Sequence, residues 1–176
     1  YCFDSVAGYS KFGTFTGNGS ATGPTVTTGF RPALVMIKRS DGVDSWGIVD
    51  NVRNPLGVAS NRLTVNSGGA EGTDVDVCEF SATGFQLKTS DTQFNASSGT
   101  YIYMAFAGGQ DTISTVNTTG TIDSRVKANT TYGQSIVAWT NPGGSVGHTI
   151  GHGLGSKPDM MMVKGREEAG SWFVWH

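Results

Sequence analysis

The chain has 176 residues and a formal net charge of −2, with only 15% charged residues against 26 glycines, 21 threonines and 17 serines. These values exclude a disordered chain, which needs more net charge and fewer aromatic and β-branched residues. They also exclude a nucleic-acid binder, since no basic run exceeds Lys38-Arg39.

Small and turn-forming residues at this level point to short strands, because helices draw on Ala, Leu, Glu and Lys. The first strand is predicted over 12–16, closed by Gly17-Asn18-Gly19-Ser20, a run that supplies positive φ. A short strand follows at 25–28. The turn Gly29-Phe30-Arg31-Pro32 then leads into the most apolar run, 33–37, which suits a strand buried on both faces in mid-sheet. Beyond a turn at 41–44, Trp46 and Ile48 alternate with Gly47 and Val49 along the next strand. Residues 53–57 read as a loop, 62–66 as a strand and 67–73 as turns. Residues 75–80 and 85–89 form a predicted hairpin across Ala82-Thr83-Gly84, and 100–106 closes the unit. Residues 107–134 read as a connector with an extra strand at 122–126. No segment keeps the 3.6-residue period of a helix, and no apolar stretch is long enough to span a bilayer as one. The expected fold is all-β: an antiparallel β-sandwich, jelly-roll-like, in tandem repeats.

The repeat is visible directly. Residues 32–50 and 158–176 share a Pro-led apolar run ending in Lys, a polar turn and a Ser-Trp strand. Pro32 to Trp46 and Pro158 to Trp172 are each 14 steps. Upstream, Phe15-Thr16 aligns with Trp139-Thr140 at an offset of 124, which becomes 126 after Gly155-Ser156. We therefore expect a closing strand of a preceding repeat and its joint at 1–12, with Tyr1-Cys2-Phe3 resembling Met104-Ala105-Phe106. A complete repeat follows at 13–107, a connector at 108–134 and the front of a second repeat at 135–176, as a window of a longer array. A piece such as 120–176 alone is expected to associate through its strand edges.

Trp46 and Trp172 occupy equivalent positions and are assigned as core keystones, a large ring being worth several kcal/mol when buried, about 4–6 at 25 cal/mol per Å². Cys78, on one strand face with Phe80, reads as a buried free thiol; two cysteines are too few for a disulfide scaffold. Tyr9, Tyr101, Tyr103 and Trp175, together with Trp139, are the rings available to stack on a sugar, against the alternative that they fill the core. Glu71, Asp74, Asp76 and Glu79 are the candidates for calcium, although they lack the alternating Asp order of a strong calcium loop. His148 and His152 are four apart on extended chain, about 13 Å, too far to share zinc. No nucleophile elbow or phosphate loop is present, and repetition exchanges Asp50 for His176, so catalysis and cofactors are not expected.

Residues 8–20, Gly29-Phe30-Arg31-Pro32 with Val35-Met36-Ile37-Lys38-Arg39, and the run from Asn95 to Ala107 resemble a tandem β-domain family of phage structural proteins. So do Ser156-Lys157-Pro158 through Lys164 and the segment Ser171-Trp172-Phe173-Val174-Trp175-His176. That family occurs in tail-fibre-like and other virion proteins, especially of marine tailed bacteriophages. The resemblance implies a virion or extracellular setting and a structural or adhesive module of an appendage. Its implied partners are neighbouring copies or other virion subunits in a homo-oligomer, and a host-surface glycan or protein, with no nucleic acid and no membrane insertion. The alternative is a carbohydrate-binding β-sandwich of a secreted adhesin or carbohydrate-active enzyme.

Overall fold

The apolar run at 33–37 lies in mid-sheet, as its composition requires. In the computed structural model, which describes residues 3–108, 114–144 and 147–176, the chain forms strands β1 (Ser10–Thr16), β2 (Thr25–Thr27), β3 (Pro32–Arg39), β4 (Gly47–Asp50) and β5 (Val58–Ala59). These are followed by β6 (Leu63–Thr64), β7 (Cys78–Ser81), β8 (Gly84–Leu87), one helical turn α1 (Thr92–Asn95) and β9 (Thr100–Ala107). Then come β10 (Thr115–Asn117), β11 (Ser124–Asn129), β12 (Gln134–Trp139), β13 (Met161–Val163) and β14 (Phe173–Trp175). The strands pair antiparallel throughout these elements, so the protein is nearly all β.

One sheet has the order β1-β9-β3-β4-β6 and another the order β2-β8-β7-β5. Both feed one core: Val35, Ile37, Val49, Tyr101, Tyr103 and Ala105 from the first, and Val26, Cys78, Phe80, Phe85 and Leu87 from the second. The Phe85 ring meets Phe15 and Tyr103 edge-on at 6.4 and 5.5 Å, and Phe15 stacks on Tyr101 at 4.9 Å. β3 is not buried on both faces. Val35 and Ile37 are fully buried, whereas Leu34 and Met36 on the opposite face are half-buried. The helical turn, β5 and β10 escape sequence reading because they are too short to display a period. The turn is held by the Asp91 carboxylate, which accepts from the Gln93 amide. Buried Asn95 fastens it to the first loop: its Oδ1 accepts from the Asn18 amide, and its Nδ2 lies 2.8 Å from Ser20 O and 2.7 Å from Thr89 O, beyond β8.

Trp46 and Trp172 are not core keystones. The alternation of β4 turns Gly47 and Val49 inward, so Trp46 and Ile48 fall on the other face, half-buried. Gly47 is required there, since a Cβ would come within 2.3 Å of the buried Phe94 ring. The largest fully buried side chains are Tyr101, Phe85 and Phe94.

Cys78 is a free, fully buried thiol, and burial pushes its pKa up. Iodoacetamide is therefore expected to label Cys78 only after denaturation. Rapid labelling of Cys78 in the folded protein, located by peptide mass spectrometry, contradicts this placement. Cys2 lies outside the described residues.

The proposed closing strand at residues 1–3 is not a strand at Phe3, whose ring instead packs on Phe12 and Phe106; Tyr1 and Cys2 lie outside the described residues. The stretch read as a connector holds two strands of a third sheet, β10-β11-β12. The predicted strand at 122–126 is shifted to β11, and Ile122 instead bridges to Ile150. β12 occupies the positions of β1 at the offset of 124. The hairpin β13–β14 repeats β3–β4 at the offset of 126 in one register: Met161↔Trp175, Met162↔Val174 and Val163↔Phe173 correspond to Val35↔Val49, Met36↔Ile48 and Ile37↔Gly47.

Candidate functional site

The most heavily built polar site is the joint where the β13–β14 hairpin meets the first copy. Asp50, at the end of β4, turns the chain by accepting from the Val52 and Arg53 amides and then pairs with Arg53 Nε. That leaves Arg53 Nη1 directed at Glu71 Oε1, 2.7 Å away, and both side chains are almost completely buried. Asn61 Nδ2 donates to Glu71 Oε2 at 2.7 Å. Arg166, in the turn between β13 and β14, completes the cluster with Nη2 at 2.6 Å from Glu71 Oε2.

Backbone contacts reinforce it. The Glu71 amide donates to Arg166 O and the Gly170 amide to Gly68 O, both at 2.7 Å. Lys164 Nζ donates to Gly68 O, and the Trp172 indole to Thr64 O at 3.0 Å. Burial alone raises the Glu71 pKa. The hydrogen bonds from Arg166, Arg53 and Asn61 outweigh it and hold the carboxyl below its ordinary value. A carboxylate bridging two guanidiniums from different copies is a clamp: it fixes two bodies in register and has no proton to give at neutral pH.

A cleft of about 360 Å³ opens beside the clamp, lined among others by Arg53, Pro55, Asp123, Arg125, Trp139 and Arg166. Arg125 Nη1 donates to Ser114 Oγ. Of the rings proposed for sugar stacking, Tyr101 and Tyr103 are core residues and unavailable to a ligand. Tyr101 is fully buried, donating to Thr92 O and accepting from the Ala96 amide. Tyr9 is covered by Tyr132, stacked at 4.2 Å, and by Phe106. Trp175 is exposed, with Lys157 Nζ 5.2 Å from its ring centroid. Trp139 is half-buried in the cleft.

The calcium candidates do not converge. Glu71 is consumed by the clamp, Asp74 pairs with Arg62 and Glu79 with Lys88, while Asp76 is exposed. Among the described residues no group of three His, Cys, Asp or Glu is placed to hold a metal. His148 contacts Gly143 O, and His152 Nδ1 accepts from the Leu154 amide.

One domain model matches the chain twice, over residues 1–110 and again over 109–176. The chain belongs to the DUF7483 family, described as a domain of unknown function. The second DUF7483 match takes in β10 and β11, and the clamp therefore joins residues of one match to residues of the other. No curated protein and no solved structure matches the chain.

Sequence reasoning missed Arg53, Asn61 and Arg166. The one available signal was a departure from the repeat: Arg166 stands where the offset of 126 places Ser40. A contact made between copies has no reason to be repeated within each.

Proposed function

We propose that the chain is a structural module of a tailed-phage appendage, a tandem of antiparallel β-sandwiches that spaces its neighbours and presents loops to a host surface. The observation that carries this reading is the clamp. The buried Glu71 carboxylate, held by Arg53 of its own copy, reaches the partly solvated Arg166 of the next, an arrangement suited to assembly and not to turnover. The sandwich reading is supported by the core shared between two sheets. The virion setting rests on the resemblance of the repeated motifs. Partners are then further copies or other virion subunits, and the location is the particle. The test is mass spectrometry and immunogold labelling of purified particles that encode the chain. Gold on an appendage supports the proposal. Particles that lack the protein refute it.

The Trp139 cleft favours a second reading, carbohydrate binding, because an indole flanked by arginines and an aspartate is the chemistry of a sugar subsite. Selective signals on a glycan array that disappear in Trp139→Ala decide for it.

A further inference from the structure

We propose that Tyr9 and Tyr132 are a cross-linking site, a pair of phenols that a peroxide-dependent one-electron oxidant joins into dityrosine, tying one copy of the domain covalently to the other. Tyr9 lies in the turn before β1, within the first domain match, and Tyr132 in the turn between β11 and β12, within the second. Far apart in sequence, their rings stack at 4.2 Å with planes 11° from parallel. At that spacing, ring carbons face ring carbons at little more than van der Waals separation. Both backbones are pinned to one residue. Ala107, the last of β9, donates its amide to Tyr9 O at 2.7 Å, and its carbonyl accepts from Asn129 Nδ2 at 3.3 Å. The buried Asn129 accepts the Tyr132 amide on its Oδ1. The end of β9 therefore sets the position of both rings.

The offset of 124 aligns Tyr9 with Gly133 and Gly8 with Tyr132, so neither ring fills a position that the repeat keeps. Each copy supplies one ring to the joint. Access separates this pair from the other described tyrosines: Tyr132 is 46% exposed and Tyr9 half-buried, whereas Tyr101 and Tyr103 lie inside the core. Burial and the neighbouring Tyr132 raise the Tyr9 pKa, so its hydroxyl carries a proton at neutral pH. In the reaction each phenol gives up one electron and its proton, leaving two phenoxyl radicals. These couple through a carbon beside each hydroxyl, forming one C–C bond, and the hydrogens on the coupled carbons move to the oxygens as the rings regain aromaticity. One hydrogen peroxide takes up the two electrons and two protons and leaves as two waters. Each ring sits beside a turn glycine of positive φ, Gly8 or Gly133, with open space around it, so the stacked planes can twist as the bond forms.

The experiment treats the whole 176-residue chain, folded and dilute, with a haem peroxidase and hydrogen peroxide, and compares it with the same chain in urea. Dityrosine fluorescence, intact mass and peptide mapping provide the readout. The expected product is a monomer lighter by two hydrogens, in which the peptide holding Tyr9 is joined to the peptide holding Tyr132. It should form about tenfold faster, or more, than in urea, where nothing holds the rings together. Tyr9→Phe and Tyr132→Phe should each abolish that product while circular dichroism matches the parent, since phenylalanine keeps the ring but has no phenol to oxidise. Absence of the link once the peroxide is consumed overturns the proposal. So do links formed chiefly between chains, or an internal link that persists in either phenylalanine variant.

Discussion

Phe85→Ala should lower the unfolding free energy of the first copy by about 3–5 kcal/mol, and Trp46→Ala by only about 1–2 kcal/mol. The ranking opposes what residue size alone suggests. Phe85 is fully buried where the two sheets meet, edge-on to Phe15 and Tyr103, so its loss leaves a cavity bounded by rings that cannot collapse. Trp46 is half-buried on the reverse face of β4, and its strand contacts run through its backbone: the amide donates to Asn66 Oδ1 and the carbonyl accepts from Val65. These bonds survive truncation of the side chain. Urea unfolding followed by far-ultraviolet dichroism provides the comparison, and equal midpoints for the two variants would refute the assignment of the core.

Glu71→Ala should release the second hairpin from the first copy, at a cost of about 3–5 kcal/mol, because removing one partner of a buried pair strands the other charges. Arg53 lies almost wholly inside and loses its Glu71 partner, keeping only Asp50 and the Ile48 carbonyl. Arg166→Ala should cost less, since its guanidinium is partly solvated and Glu71 keeps Arg53 and Asn61. Limited proteolysis between residues 140 and 172 reads the release directly.

The same carboxylate sets a pH dependence. Glu71 is held below its ordinary value of 4.5, so it is the group of depressed pKa. Its stabilisation is fully present above the unfolded carboxylate value and is lost as pH falls through the lower folded one. Wild type should therefore lose stability relative to Glu71→Gln as pH falls from about 5 toward 3. Parallel stability curves over that window would remove Glu71 from the clamp.

Much of this architecture was legible from residue order. The five-residue apolar run predicted a mid-sheet strand, and β3 lies third of five, but burial on both faces did not follow, since only its Val35 and Ile37 face is fully covered. A hairpin at 82–84 was legible from its turn residues, although its turn is Ala82-Thr83 alone and Gly84 already pairs with Ser81 as the first residue of β8. The buried thiol followed from strand alternation around Cys78. Alternation was also the reason the tryptophans were misplaced: period two was read correctly, but which face of β4 points inward depends on Phe94, a residue far along the chain that occupies the space above Gly47.

The linear order of residues was sufficient to establish strand chemistry and the doubling of one hairpin, because both are local: side-chain period, turn residues and spacing act within some twenty positions. Only the tertiary structure decided that Tyr101 and Tyr103 fill the core and that Glu71 bridges two arginines instead of joining an acidic cluster. Each of those outcomes depends on a partner brought from another part of the chain. Burial and ion pairing are properties of proximity in space, which the spacing of residues along a strand does not encode.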